Sequence, residues 1–463
     1  MPTHTSIKPA LILLLAGLCS CSKILNVSPP PSIIGSDVAF GDSISAVQAV
    51  NGIYAIMDLH SFFEWSGISY EASRSADEVI YKGGVDDFAA DSLLYTNGDV
   101  YTMWQQGFAS LLAINTNISG LQGASWLGAA LQHQLLGEMY FCRAFENFYL
   151  VNLWGDGVPL LTTPDVNINQ TAKSASHQQV YNQIVADLLQ AQQDLTASYP
   201  IANRARPNAL AATALLARVY LYQGSNSDAI TQATTVINSN LYSPLPSLAQ
   251  AFLTTSEEVI WQLAVPSDGR PDPVGDVILY RNTPSTLTPQ LLAAFEPGDG
   301  RLLTWVTTNM YNGTTYTIPN KYKRPADTSS LPLEYEVVLR LAEQYLIRAE
   351  ANTRLEQTAA AVADLNVVRA RAGVPALSDT LTQAQCIAAV EHERQVEFFS
   401  EWGHRWFDLK RWPGITNPAL TRADEVLGAY KPGWKPTDQY YPIPQTELKL
   451  DPNLVQNPGY PAH

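Results

Sequence analysis

Two glutamates near the C-terminal end have the spacing that general acid and base catalysis could use. Glu393 and Glu397 lie four residues apart on one face of a helix that we predict over Gln383 to Glu401. The flanking sequence also supplies charged partners for a structural ion-pair network, namely Arg394, Arg405, Asp408, Lys410 and Arg411. Because guanidinium groups bind carboxylates in pairs, we expect these glutamates to tie the helix to the following segment rather than to catalyse a reaction.

Metal and cofactor chemistry finds no support in the sequence. His392-Glu393 resembles the start of the zinc-protease pattern HExxH, but residue 396 is valine, so the second histidine is missing. Asp268, Asp272 and Asp276 lack the register of a calcium-binding loop. Since no CxxC pair, phosphate-binding loop or G-x-S-x-G turn occurs either, we expect no catalytic residue, no metal site and no cofactor.

Aromatic residues offer a better basis for ligand binding. The chain has 10 Trp, 22 Tyr and 13 Phe but only 15% charged residues, a composition that suits neutral ligands. Sugar rings stack on aromatic faces, and their hydroxyls bond to polar side chains nearby. Two predicted loop regions combine both residue types, and our candidate ligand-binding residues are Trp65, Tyr70, Arg74, Asp77 and Tyr81 in the first and Tyr280, Asn282, Trp305, Tyr311 and Tyr316 in the second. For any single ring, the alternative is packing in the core.

The charge of the chain argues against nucleic acid as a partner. The formal net charge is −15 at pH 7. Phosphate backbones would be repelled by such a surface.

The first residues are typical of an exported lipoprotein. Lys8 precedes an apolar run from Ala10 to Leu18, which is too short to span a bilayer and therefore reads as a signal peptide, residues 1–20, that is removed. Leu18-Cys19-Ser20-Cys21 has the order of a lipobox, so Cys21 is the predicted site of acylation with chains such as palmitate. Several acyl chains give lasting membrane attachment. The alternative is a plain secretory signal that happens to end in cysteines.

The two remaining cysteines, Cys142 and Cys386, lie in apolar helical sequence. An exported protein can carry a disulfide, but cysteines in such settings are more often buried free thiols.

The elements that must position these residues are mainly helices. Apolar residues recur at helical spacing from about Ser43, and further helices are predicted at Val100 to Leu121, Ala129 to Val151, Gln178 to Ser198, Asn208 to Gln223, Ser227 to Asn238, Tyr335 to Leu355 and Thr358 to Ala372. Helix pairs of this length suggest an α-solenoid of TPR-like pairs, although no strict repeat is present. The run Glu258 to Gln262 has β character.

We divide the chain accordingly. Residues 21–36 form a lipidated cysteine and a flexible, proline-containing tether, 37–240 an N-terminal helical part, 241–334 a loop-rich, partly β insertion, and 335–463 a C-terminal helical part with a tail. Residues 37–463 are expected to be one compact unit.

Several stretches resemble the SusD/RagB family. They include Asn51-Gly52-Ile53-Tyr54, the segment Gly137 to Pro159 with Trp154-Gly155-Asp156-Gly157, the segment Arg340 to Glu350, Arg405-Trp406-Phe407-Asp408-Leu409, and the tail from Tyr441 to Tyr460. They occur in the family's order along nearly the whole chain after Cys21. The resemblance implies a mainly α, SusD-like fold.

The resemblance also implies a function. Family members are outer-membrane lipoproteins that capture oligosaccharides or peptides at the cell surface and deliver them to a SusC-like TonB-dependent β-barrel transporter. We expect this chain to be such a non-enzymatic, glycan-binding protein, held in the outer membrane by its lipid and facing the exterior. The alternatives are RagB-like peptide capture, a TPR-like scaffold without its own ligand, and a glycoside hydrolase.

Overall fold

The structure, a computed structural model, describes residues 39–59, 62, 67–264, 275–323 and 333–462. The predicted signal peptide, Cys21, the tether and the candidate residue Trp65 lie outside this part of the chain. So do Asp268 and Asp272.

Helices form most of the N-terminal part. They are α1 (Ser43–Leu59), α2 (Ile68–Ser75), α3 (Gly98–Gly123), α4 (Ala129–Trp154), the short α5 (Val166–Asn169), α6 (His177–Asp194), α7 (Ala209–Tyr222) and α8 (Asn226–Asn238). Side chains fix where several of them begin. Asn97 accepts hydrogen bonds from the first backbone N–H groups of α3, and Ser176 forms a capping box with Gln179 at the start of α6.

The following segment alternates short helices and strands. It contains β2 (Val259–Leu263), α9 (Gly275–Asn282), β3 (Ser285–Leu287), α10 (Pro289–Ala294), α11 (Gly300–Trp305), β4 (Val306–Tyr311) and β5 (Thr314–Pro319). β3 pairs antiparallel with β1 (Val79–Tyr81), which precedes α3, and β4 pairs with β5. The predicted β character of Glu258 to Gln262 is confirmed by β2.

The C-terminal part returns to helices. Its elements are β6 (Glu336–Arg340), α12 (Leu341–Arg354), α13 (Thr358–Ala372), α14 (Gln383–Phe398), α15 (His404–Arg411), α16 (Arg422–Tyr430) and α17 (Gln445–Leu450). The prediction of one helix over Tyr335 to Leu355 is wrong at its start. Residues 336–340 pair antiparallel with β2, because two adjacent valines, Val337 and Val338, favour the extended conformation and complete a buried sheet.

The helices stack in the order of a solenoid. α4 packs against α3 and α6, and the contacts then continue from α6 to α7, α7 to α8, α8 to α12, and α12 to α13. Buried ion pairs join successive layers: the Arg143 guanidinium bonds to Asp187 at 2.6 and 2.8 Å, and Arg218 bonds to Glu343 at 2.6 and 2.8 Å. The mainly α architecture with a partly β segment therefore agrees with the predicted fold class.

The segment between the helical parts has an apolar cluster that reaches beyond its own residues. Phe252 and Trp305 pack there with Tyr70 from α2 and with Val396 and Phe399 from the end of α14. The expected division at residues 240 and 334 stays a prediction.

The C-terminal tail covers the N-terminal helices. The indole N–H of Trp154 donates to the Pro442 carbonyl at 3.1 Å, and the Tyr441 N–H donates to the Leu153 carbonyl at 2.9 Å. The Tyr441 hydroxyl also lies 2.8 Å from the Ser75 hydroxyl. Residues more than 280 positions apart thus share one interface.

Both cysteines within the described residues are buried and free, as expected for core thiols. None of the helices in those ranges is both long enough and apolar enough to cross a membrane.

Candidate functional site

Three candidates of the first loop region are buried in ion pairs and hydrogen bonds. Arg74 donates to Asp86 at 3.0 Å and forms an ion pair with Glu71. Asp77 accepts two hydrogen bonds of 2.8 Å from Arg405. The hydroxyls of Tyr70 and Ser285 lie 2.7 Å apart. These side chains hold α2 against its neighbours and are only 3–7% exposed, which disagrees with the expectation that they border a ligand.

Two aromatic candidates of the second region are also internal. Trp305 is 0% exposed, and its indole N–H donates to the Leu248 carbonyl at 2.9 Å. Tyr280 is buried edge-on against Tyr70, with 5.5 Å between ring centroids. Their polar sequence context predicted open loops, but the apolar cluster around Phe252 and Phe399 encloses them. Trp305 is fully enclosed, and Tyr280 lines a pocket of only ≈ 20 Å³, which is too small for a sugar ring.

The other candidates lie at the surface, three of them on neighbouring strands and Asn282 at the end of α9. Tyr81, Tyr311 and Tyr316 are half-buried, and Asn282 is exposed. Tyr81 pairs with Ser285 across β1 and β3, and the Thr286 hydroxyl on β3 donates to the Thr317 carbonyl on β5 at 3.1 Å. The strands therefore run side by side in the order β1, β3, β5, β4.

The β4–β5 hairpin presents its tyrosines on one face. Tyr316 lies directly opposite Asn309, and Tyr311 lies two residues beyond Asn309 on the same strand. Opposite residues of an antiparallel pair, and residues two apart on one strand, point to the same side. The Asn309 amide donates to the Arg281 carbonyl at 2.9 Å, which brings this face close to Asn282 at the end of α9.

Tyr81 also lines an open surface groove of ≈ 400 Å³, which we name the Tyr81 groove. One wall comes from β1 and the loop after it. The other comes from the end of α16. Its lining residues are Ile80, Tyr81, Lys82, Gly84, Asp86, Ala89, Ala90, Tyr430, Lys431 and Pro432. Two half-buried tyrosines, Tyr81 and Tyr430, thus contribute to opposite walls of one groove.

The buried charges beneath the groove are already paired. Asp86 accepts hydrogen bonds from the backbone N–H of Tyr81 at 2.7 Å and from Arg74 at 3.0 Å. Lys431 donates to the Ser75 carbonyl at 2.6 Å and lies 3.3 Å from Asp91. The pKa of the Lys431 ammonium is lowered, because the effect of burial exceeds the opposing effect of the nearby Asp91 carboxylate. Lys82 is the exposed charge of the lining, whereas the other two charged lining residues, Asp86 and Lys431, are buried and paired.

Tyr430 was missed by the sequence reasoning. It is followed by Lys431-Pro432-Gly433-Trp434, a turn-forming run with aromatic residues at both ends. This is the same composition that marked the other two regions, and applying that criterion to the whole chain would have found it.

Glu393 and Glu397 are structural, although their partners differ from those expected. Both are 0% exposed, and one nitrogen of Arg301 donates to Glu393 at 2.6 Å and to Glu397 at 3.1 Å. Arg369 donates to Glu393 at 3.0 Å, Arg340 donates to Glu397 at 2.6 Å, and Arg371 also pairs with Glu397. Arg394 instead pairs with Asp408, at 2.6 Å. A substrate has no access to these carboxylates.

Across the described ranges, no cluster of three or more His, Cys, Asp or Glu side chains is arranged to hold a metal ion.

Two family models match the chain. The SusD family model matches residues 296–460, and a model described as starch-binding, associating with the outer membrane, matches residues 35–221. A SusD-like protein of Formosa agariphila is 24% identical in an alignment that covers 97% of this chain and 98% of the relative.

Solved structures have the same fold. A SusD superfamily protein from Bacteroides vulgatus matches with a TM-score of 0.76 and 23% identity over 91% of this chain and 100% of its own. A laminarin-binding SusD-like protein matches with a TM-score of 0.74 and 23% identity over 90% of this chain and 99% of its own.

Proposed function

The chain belongs to the SusD/RagB family, and from that premise we propose that it is a non-enzymatic protein of the outer membrane that captures neutral oligosaccharides. The observation that carries the proposal is the Tyr81 groove, in which two tyrosines line opposite walls above charges that are already paired. Related proteins that bind starch or laminarin support a glucose polymer as the first ligand to test.

The site is built for weak, reversible binding. Stacking a sugar ring on a tyrosine removes about 60 Å² of apolar surface from each partner, which is worth about 3 kcal/mol at ~25 cal/mol/Å². Two or three such contacts, less an association cost of at least ~4 kcal/mol, leave about 2–5 kcal/mol, which corresponds to dissociation constants from roughly tens of millimolar to a few hundred micromolar. Such affinities allow a ligand to be handed on after capture.

We further propose that Cys21 carries the lipid anchor, that the protein faces the cell exterior, and that it delivers its ligand to a SusC-like TonB-dependent barrel. The lipobox-like order Leu18-Cys19-Ser20-Cys21, followed by a proline-containing segment, supports this arrangement, because a protein acylated there could release its ligand to a membrane partner without leaving the membrane. Labelling with a palmitate analogue tests the anchor: Cys21→Ser should abolish incorporation, whereas Cys19→Ser should not.

Calorimetric titration with oligosaccharides from laminarin and starch tests the capture function. We expect Tyr81→Ala and Tyr430→Ala each to weaken binding about tenfold, because each removes one aromatic contact worth ~1–2 kcal/mol. Tyr220→Ala is the matched control, since Tyr220 is a half-buried tyrosine on α7, outside the groove. Binding of peptides but of no sugar would replace this proposal with peptide capture.

A further inference from the structure

A second groove runs along the C-terminal turns of α3, and its volume is ≈ 570 Å³. Thr116, Ser119 and Gly123 of α3 line it together with Trp126 from the connection to α4 and Pro164 from the segment before α5. We call it the Trp126 groove. It shares no lining residue with the Tyr81 groove. Its volume lies within the roughly 300–1,000 Å³ range of small-molecule sites.

Trp126 is the most exposed tryptophan among the described residues. It is 48% exposed, whereas the others there are buried or, in the case of Trp434, half-buried. A ligand that covers this indole would remove apolar surface from water, so the ring can supply binding free energy.

The two glycines of α3 at this groove have different surroundings. A Cβ at Gly120 would come within 2.3 Å of the Phe40 ring, so Phe40 packs directly on the helix and closes one end of the groove. A Cβ at Gly123 would meet nothing within 4 Å. The floor beside Trp126 is therefore open.

Hydroxyl groups border this floor. Thr116 and Ser119 are exposed one turn apart on α3. The Thr116 hydroxyl donates to the Leu112 carbonyl at 2.8 Å, which leaves its oxygen lone pairs to accept from a ligand.

None of the residues lining this groove is charged, although the chain has a net charge of −15. An exposed indole beside hydroxyls on an uncharged floor matches a sugar, which offers C–H faces and hydroxyl groups. We infer that the Trp126 groove is a second carbohydrate-binding site, which holds another part of a polysaccharide chain. The inference rests on the proposed function.

Two sites on one protein change how polymers and short oligosaccharides bind. A polymer that reaches both sites binds the second intramolecularly, at an effective concentration of about millimolar, so losing one site weakens polymer binding about tenfold or more. A trisaccharide occupies each site independently. The Trp126 groove therefore matters most for long ligands.

Retention in native gels that contain laminarin or soluble starch tests the inference, with the whole chain after its signal peptide. We expect Trp126→Ala and Gly123→Gln each to weaken polysaccharide binding about tenfold, since one removes the ring and the other fills the floor. Gly52→Gln is the matched control, because Gly52 is also an exposed helical glycine with open space around it, on α1. Circular dichroism melts should be unchanged for all three variants.

Two results would overturn the inference, and they can be told apart. If both groove variants are retained like wild type while Tyr81→Ala is not, the Trp126 groove is no sugar site and the proposed function stands. If the wild-type protein itself binds no polysaccharide or oligosaccharide, the proposed function fails and this inference fails with it.

Discussion

At the scale of single residues, burial determines what each aromatic side chain does. Trp305 bonds to the Leu248 carbonyl and packs edge-on against Phe252, with 5.5 Å between ring centroids. Tyr81, on the strand β1, is half-buried and lines a groove. Both are aromatic residues that the sequence places in polar surroundings, so the difference arises only from the tertiary structure.

Trp305→Ala should therefore destabilise the fold rather than impair binding alone. Replacing a buried tryptophan by alanine costs about 3–5 kcal/mol through lost burial and the cavity that remains. Urea unfolding should show this loss, whereas Trp126→Ala should change the free energy of unfolding by less than about 1 kcal/mol because its ring is 48% exposed. Equal losses for the two variants would contradict this assignment of roles.

Residue composition alone cannot distinguish surface aromatic residues from aromatic residues of the core. Tyr70 and Tyr280 stand in runs as polar as those around Tyr81 and Tyr316. The first two are buried inside the cluster around Phe252, whereas Tyr316 packs at its edge and Tyr81 lies outside it, and both of these are half-buried. Which side of a strand is covered depends on packing partners far away in sequence, here Val396 and Phe399.

At the scale of elements, a buried ion-pair network joins the loop-rich segment to the C-terminal helices. Arg301 of α11 and Lys321 after β5 reach Glu397 and Glu401 at the end of α14. Arg340, the last residue of β6, bonds to Glu401 at 2.9 and 3.0 Å. The segment is thus held by charges inside the protein as well as by its apolar cluster.

Arg340→Ala should be among the most damaging substitutions of a charged residue. It leaves Glu401 and Glu397 buried with fewer partners, and breaking such a pair from one side costs about 3–5 kcal/mol. Arg422→Ala is the control, since its side chain is 22% exposed and its pair with Glu391 should contribute about 1 kcal/mol or less. The measurement is the free energy of unfolding in urea, and similar values for both variants would refute the expectation.

Helices were predicted better than the short strands. The periodic apolar residues of α4 and α13 gave nearly correct bounds, because a helix of that length carries its own pattern. β6 was read as helix since Glu336–Arg340 continues the spacing of α12, and only its pairing with β2 makes it a strand. The β4–β5 hairpin had a local signal that was not used, the Asn312-Gly313 turn with positive φ at both residues.

At the scale of the whole molecule, paired buried carboxylates make stability depend on acidity. Burial alone would raise the pKa of Glu350, but Arg411 and Arg394 outweigh burial and lower it to about 2, from 4.5. A carboxyl group whose pKa is lower in the folded state stabilises the fold above its unfolded pKa, and this contribution disappears as the pH falls through the folded value.

We therefore expect stability to be lost progressively as the pH falls from about 4.5 towards 2. Glu350→Gln should lower stability at pH 7 and flatten the dependence below pH 4.5, because it removes the group that titrates. Glu257→Gln, at an exposed position, should leave the curve unchanged. Thermal melts between pH 2 and pH 7 measure this, and an unaltered slope in Glu350→Gln would count against the assignment.

The family motifs turned out to be parts of the core. Trp154 is 0% exposed and bonds to the tail, and Arg340 and Glu350 lie in buried ion pairs. Packing in the core restricts which residue types such positions accept, and this makes the motifs recognisable in a sequence. The residues that line the Tyr81 groove lie at the surface, on a strand and in connections, where packing constrains the residue type less. This is why the fold could be predicted from the sequence and the ligand could not.

The tail contacts described above also determine when the protein can fold. Hydrogen bonds join Asp77 to Arg405, Ser75 to Tyr441 and Trp154 to Pro442, across separations of 328, 366 and 288 residues. Closing loops of this length is slow, so the N-terminal core cannot be completed until nearly the whole chain has been synthesised. Late completion of the core is compatible with the export that we propose, because a chain that crosses a membrane does so before it acquires its tertiary structure.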